Sequence, residues 1–354
     1  MYKIETKKSK SKAGKKSKGK KILTALAIIV LILIIILSGI AAIGYSYVST
    51  KLNKMQQVQI SEDELNISDR VDDKYRNIAI FGVDSRSNDL GAGNRSDCII
   101  IASINNETKE VRLVSVYRDT YMEIDDYGLD KVTHAYSYGE APLAIKTLNT
   151  NLDLNIKEFV TVNFDSVAEA VDALGGIDMY ITSAEVQYIN SYIDETSRVT
   201  GKYSEHITSA GTYTLDGVQA VGYSRIRYTE GGDYKRTERM RDVIEAMVKK
   251  LKTKSVGEIN DILDVVLPKV YTNITADEII SMIPNALSYN VSNSIGWPYE
   301  TRGITLDRWY GIPITLESNV TRLHQELFDD EEYTPSDTVK DISNRIVNRT
   351  GYTN

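Results

Sequence analysis

The chain of 354 residues contains one cysteine, Cys98, and so forms no intramolecular disulfide. Exported eukaryotic domains often carry disulfides, so an exported domain without them points to a bacterial surface. No Gly-x-Ser-x-Gly occurs, which removes the nucleophile elbow of a serine hydrolase. Cys98 sits in the apolar run Cys98-Ile99-Ile100-Ile101, the setting of a buried, inert thiol. The run Gly14-Lys15-Lys16-Ser17-Lys18-Gly19-Lys20-Lys21 approaches a nucleotide-binding loop but lacks its closing Ser/Thr, and no strand precedes it. After the tail there is no internal repeat and no low-complexity segment.

Positive charge is also scarce outside the N-terminus. Residues 1–21 hold ten lysines against Glu5; removing them from the chain's 42 basic and 49 acidic residues leaves 32 and 48, a net of −16. That balance excludes broad binding of nucleic acid. The lysine-rich tail suits anionic lipid.

What is present begins with an apolar rod. Residues 22–43 carry no charge, and about twenty apolar residues suffice to span the hydrocarbon core as a helix. A cleaved signal peptide has a shorter apolar region. The reading is a cytoplasmic tail (1–21), a single-pass anchor (22–48) and, by the positive-inside rule, an exported remainder. Residues 49–75 are polar and read as a stalk with little fixed structure.

From Arg76 onward the pattern is globular. Runs suited to strands are 77–83, 98–104, 111–116 and 158–163, with Asn105-Asn106-Glu107-Thr108 as a hairpin loop. Helical patterns cover 141–152, 166–174 (stopped by Gly175-Gly176) and 234–254. The expected fold is α/β: an α/β/α layered sandwich around a mixed sheet, in a domain spanning 76–254. Residues 255–354 read as a mostly helical C-terminal part, with Trp297 and Trp309 as core residues by default.

Short clusters of arginine and aspartate stand out against this acidic background. They are Asp84-Ser85-Arg86, Arg95-Ser96-Asp97, Arg118-Asp119, Arg225-Ile226-Arg227, and Asp233 with Arg236 and Arg239. A guanidinium offers paired donors that match phosphate, and carboxylates beside it suit a hard divalent cation. In residues 234–254, Met240, Val243, Ile244, Met247, Val248 and Leu251 form one apolar stripe. Arg236 falls inside that stripe near the helix N-terminus and needs an anionic partner, either a neighbouring carboxylate or a bound phosphate. Arg241 is assigned to a solvated flank. Arg225 and Arg227, two apart, would share one side of an extended strand.

In their order and spacing these segments resemble the LytR–CpsA–Psr family of membrane-anchored cell-wall ligases. The likeness runs from Asn77 to Leu251 through Phe81-Gly82-Val83-Asp84-Ser85-Arg86, Arg95-Ser96-Asp97, Val116-Tyr117-Arg118-Asp119-Thr120, Lys131-Val132-Thr133-His134-Ala135-Tyr136, Leu174-Gly175-Gly176 and Leu215-Asp216-Gly217. The resemblance implies a phosphotransferase of the bacterial, Gram-positive type of cell membrane. It would move a glycopolymer, such as teichoic acid or capsule, from undecaprenyl pyrophosphate to a peptidoglycan hydroxyl. Asp84 and Asp97 would hold Mg²⁺, with Mn²⁺ as a substitute. Arg86, Arg95, Arg118, Arg225, Arg227, Arg236 and Arg239 would grip the pyrophosphate, and an apolar pocket would take the polyprenyl chain. Asp97 and Arg118 would act at the reacting centre, with Asp233 as the candidate base. His134 is assigned a structural role.

Three positions depart from the family pattern: Met240 follows Arg239 where Gln is usual, Gly139-Glu140 replaces Gly-Gly, and Gly222 and Ser224 replace larger apolar residues. Two other readings compete: a non-catalytic, membrane-anchored binder of lipid-linked phosphate or wall glycan with a regulatory role, and a lipid-pyrophosphate hydrolase. Binding alone does not need the Asp84/Asp97 pair.

Overall fold

The computed structural model describes residues 45–85, 90, 91, 93–282 and 288–353, with some side chains, Asp233 among them, left undescribed. The predicted tail, nearly all of the predicted anchor and Arg86 lie outside the described residues. Among the described residues no helix is long and apolar enough to cross a membrane.

The strands are β1 (Gln56–Gln57), β2 (Tyr75–Val83), β3 (Ser96–Asn105), β4 (Glu110–Val116), β5 (Tyr121–Ile124), β6 (Gly128–Lys131), β7 (Glu158–Asn163), β8 (Ile177–Ile181), β9 (Gly211–Leu215), β10 (Tyr271–Thr272), β11 (Asn290–Trp297), β12 (Thr301–Thr305) and β13 (Trp309–Pro313). Seven of them form one mixed sheet in the order β1-β10-β7-β2-β3-β4-β11. β2, β3 and β4 are an antiparallel meander, while β7 runs parallel to β2 and β11 parallel to β4.

The central strands are apolar on both faces, as a sheet covered on both sides requires. In β2, Ile78 and Ile80 enter one core and Ala79, Phe81 and Val83 the other. The first core is closed by the helices Phe164–Ala173, Ser183–Thr200, Gly217–Ser224 and Gly232–Leu251. The second is closed by Val132–Leu152, Leu316–Phe328 and Asp337–Thr350. The result is a mixed α/β fold with helices on both faces.

The structure corrects two of the sequence boundaries. Residues 49–75 are not a loose stalk: Leu52, Met55, Leu65 and Val71 are buried, and β1 pairs with β10. Lys51 and Lys54 both pair with Asp264. The few apolar residues in this polar stretch are too sparse to show a period, yet each finds a place in the core. Nor does the fold end at 254, because β10 and β11 complete the sheet and Trp297 is fully buried. Those pairings join residues more than a hundred apart, which local pattern does not reveal.

Helix Val132–Leu152 is broken at Gly139 (φ −153°) and Glu140 (φ 57°, ψ −155°). A Cβ at Gly139 would stand 2.7 Å from that of Leu143, so the break requires glycine there. Glu140 occupies a region that glycine enters freely and other residues enter at a cost.

Candidate active site

One end of the sheet collects the charged clusters. There β2 and β4 finish and β3 begins, so Asp84 follows β2, Asp97 is the second residue of β3, and Arg118 lies two residues past β4. Helix Gly232–Leu251 packs across this end and carries Arg236 in its first turns.

Three arginines converge on Asp97. Arg118 Nη1 donates to Asp97 Oδ1 at 2.7 Å. Arg227 Nη2 and Arg236 Nη1 lie 3.5 and 3.7 Å from Oδ2. Burial works to raise the Asp97 carboxyl, but Arg118, Arg236 and Arg227 outweigh it and hold it below the ordinary carboxylate range. Asp119 continues the network, accepting from Lys131 Nζ at 2.6 Å and lying 3.6 Å from Arg118 Nε. The Asp97 carboxylate acts as a spacer that holds three forks close together, where their mutual repulsion would otherwise part them. Arg236 is 1% exposed and has the anionic partner that its place in the apolar stripe demanded.

The remaining predicted residues are placed less uniformly. Asp84 is exposed, and its N–H donates to the Arg95 carbonyl at 3.3 Å; the Arg95 side chain is exposed. Arg225 and Arg227 do not share a strand. Arg225 caps helix Gly217–Ser224 in αR geometry, donates to Glu195 at 3.0 Å and lies over the rings of Phe164 and Tyr192. The helix end turns the two side chains apart, so only Arg227 reaches Asp97. Arg239 is not brought to the cluster either. It is 1% exposed and donates to Glu185, the Ile226 carbonyl and Thr229 Oγ1.

Arg241, expected in solvent, packs against β4, with Nη1 3.2 Å from Ser115 Oγ and burial pulling its guanidinium below the usual range. The apolar stripe marked one face of the helix only, whereas the sheet extends under its flank. Burial likewise pushes the Cys98 thiol up to about 11, which keeps it protonated and inert. His134 bonds Asp130 at 2.8 Å.

Two cavities adjoin the cluster on the β7 side. One of about 220 Å³ is lined by Asp84, Ser85, Asn163, Phe164, Glu195 and Arg225, among others. The other, about 40 Å³, is lined mainly by apolar groups, Gly82, Val162, Val167, Met240 and Val243. They share Asn163 and Phe164, so a cavity carrying charged groups adjoins one lined mainly by apolar groups. Sequence reasoning missed Asn163, whose side chain caps helix Phe164–Ala173 by accepting from Ser166 N–H. The Asn-x-x-Ser spacing after an apolar run was the available signal.

Among the described residues, no group of three or more His, Cys, Asp or Glu could hold a metal by itself. Asp84, just past the end of β2, and Asp97, on the neighbouring β3, supply hard oxygen donors. Mg²⁺ is commonly bound by one or two carboxylates together with substrate phosphates, so this donor set fits it.

The LytR_cpsA_psr family model matches residues 42–302. A polyisoprenyl-teichoic acid–peptidoglycan teichoic acid transferase TagU of Enterococcus faecalis is 32% identical over 245 residues, covering 68% of this chain and 75% of that protein. Among solved structures, protein gbs0355 of Streptococcus agalactiae aligns with a TM-score of 0.59 at 28% identity, over 74% of this chain and 91% of that one. TagT bound to LIIa-WTA shares the fold with a TM-score of 0.56 at 23% identity, over 77% of this chain and 93% of that one.

Proposed function

This chain belongs to the LytR_cpsA_psr family, and from that premise we propose that it transfers a teichoic-acid-type glycopolymer from a polyprenyl pyrophosphate to a peptidoglycan hydroxyl. The observation that carries this reading is the convergence of Arg118, Arg227 and Arg236 on Asp97, beside two adjoining cavities, one carrying charged groups and one lined mainly by apolar groups. The related TagU protein is named for the same reaction.

The substrate anhydride is already activated, so no nucleotide is required. The acceptor oxygen forms a bond to the phosphorus that bears the glycan. The bond from that phosphorus to the bridging oxygen breaks, and polyprenyl phosphate leaves with the electron pair. The acceptor's proton passes to a carboxylate, with Asp233, in the first turn of helix Gly232–Leu251, the candidate. Charge gathers on the non-bridging and leaving oxygens, and the forks of Arg118, Arg227 and Arg236 are placed to receive it. Arg225 lines the larger cavity beside the cluster. Mg²⁺ held by Asp84 and Asp97 would supply further charge neutralisation at those oxygens, and Mn²⁺ has a similar donor preference. The apolar cavity offers the polyprenyl chain an apolar contact next to the cluster. The uncharged run at 22–43 tethers the enzyme to the leaflet that holds its donor, with the domain outside the cell.

The test combines the purified full chain, a synthetic polyprenyl-pyrophosphate glycan, a peptidoglycan oligomer and Mg²⁺, with products read by mass spectrometry. A phosphodiester-linked product that Arg118→Ala and Asp97→Ala fail to form is the expected result. Tight lipid binding without product would replace the transferase with a binding module. Free phosphorylated glycan alone would make the enzyme a hydrolase.

A further inference from the structure

A second groove lies across the arginine cluster from the two cavities already described. The sheet order places β7 and β2 on one side of β3, and β4 and β11 on the other. Phe164 and Asp84 therefore stand on one side of Asp97, and Tyr117 and Tyr299, which follow β4 and β11, on the other. Two adjoining cavities of about 340 and 550 Å³ occupy that second side, sharing Tyr117, Tyr234 and Thr301. Tyr117 and Asp119 are the chain neighbours of Arg118, so the groove begins one residue from the cluster.

The groove has an aromatic floor and a polar rim. Tyr117 and Tyr234 meet edge to face with centroids 4.5 Å apart. Trp309 is 46% exposed, although it is among the largest apolar side chains. It is nevertheless held in place. A Cβ on Gly303 of the facing strand would come within 2.7 Å of the indole Nε1, so the ring rests where only glycine leaves room. Gly303 pairs with Gly311 across the β12–β13 hairpin, and Gly311 N–H donates to the Asp119 carbonyl at 2.9 Å. The hairpin that carries the indole is thus fastened to the segment that carries Arg118. Asp119, Thr120, Thr301, Glu300 and Arg302 supply the polar groups.

A pyranose has apolar C–H faces and a hydroxylated edge, and a rigid exposed indole with polar neighbours matches both. Phosphoryl transfer places attacking and leaving oxygens roughly in line. With the polyprenyl phosphate leaving on the β7 side, as proposed above, the attacking hydroxyl enters from the β11 side. Resting on the transferase reading above, we infer that this groove is the acceptor site: a peptidoglycan glycan strand lies in it, with one sugar stacked on Trp309 and a hydroxyl presented beside Arg118.

The chain has two tryptophans, and Trp297 is fully buried, so a ligand-dependent change in emission reports Trp309. Titration of the full chain with a peptidoglycan glycan oligomer, without donor, is expected to give a saturable change. Gly303→Val, which displaces the indole without removing it, should abolish that change. In the transfer assay, Trp309→Ala should raise the acceptor KM roughly tenfold and leave the donor KM and melting temperature unchanged, with Trp309→Phe close to wild type. A donor KM that rises instead would make the groove the seat of the donor's sugars. An unchanged acceptor KM, or no emission change in the wild type, would overturn the inference outright. A wild type that forms no transfer product but still gives the emission change would fail the transferase reading while keeping a glycan site.

Discussion

Arg236 and Arg239 stand one helical turn apart on helix Gly232–Leu251, and each is 1% exposed. Their surroundings differ. Arg239 has three named acceptors, Glu185, the Ile226 carbonyl and Thr229 Oγ1, all at hydrogen-bonding distance. Arg236 shares Asp97 with Arg118 and Arg227, its Nη1 lying 3.7 Å from the carboxylate and its Nη2 3.5 Å from the Asp97 carbonyl. The first arrangement is complete within the protein and ties the 226–229 segment to the helix. The second gathers several cations where an incoming phosphate can be met by more than one fork. Burial of an arginine therefore does not assign its role; the partners that it shares do.

That contrast breaks most sharply at Arg239. Arg239→Ala leaves Glu185 as a buried charge without its partner, and an unfolding free energy lower by about 3–5 kcal/mol is expected in denaturant melts. A double change of Arg239→Met with Glu185→Leu should recover much of that loss. If Arg239→Ala were as stable as wild type and selectively inactive, the two arginines would have exchanged roles.

At Arg118 the order of effects reverses. Arg118→Ala should reduce transfer by roughly 10²–10³-fold, the scale of losing one charged donor at a reacting centre, with little change in melting. Arg118→Lys should recover only a small part, because an ammonium cannot reproduce the planar fork.

His324 extends the comparison to a buried base. Its Nε2 bonds the Leu152 carbonyl at 2.8 Å and its ring stacks on Tyr333, with burial pulling its pKa down to about 4. The unfolded chain takes up this proton below about 6.5, the folded chain only below about 4. Stability should therefore fall as pH drops through that window, by about 1.4 kcal/mol per unit at most. Melting of His324→Gln at pH 7 and pH 5 checks this; the variant should lose most of the extra pH dependence.

The smallest effect lies at Glu140, whose backbone is strained for a residue with a side chain. Glu140→Gly should stabilise the fold by about 1 kcal/mol, the relief of the strain less the added freedom of the unfolded chain. A lower melting temperature for that variant would mean that the long contact from Tyr271 to Glu140 matters more than the strain.

Much of this was legible in the sequence. Short β-branched runs mark residues 77–83, 98–104, 111–116 and 158–163 as strands, and these are β2, β3, β4 and β7. The apolar stripe of residues 234–254 by itself identifies Arg236 as an inward arginine. Other features were hidden. Helix Gly217–Ser224 runs up to Arg225, so two arginines spaced for a strand separate at a helix end. Arg241 looked exposed on a wheel because the wheel holds no sheet.

The sequence by itself determined the periodic elements, the chemistry of the charged clusters and the polar-to-apolar break at the N-terminus, since each depends on residues close in the chain. The tertiary structure alone decided which cations share Asp97, that residues 49–75 and 271–297 complete the sheet, and that Trp309 faces a groove beside Arg118. Those outcomes depend on strand pairings and side-chain contacts between residues tens to hundreds apart, whose energy is realised only once the chain has closed on itself.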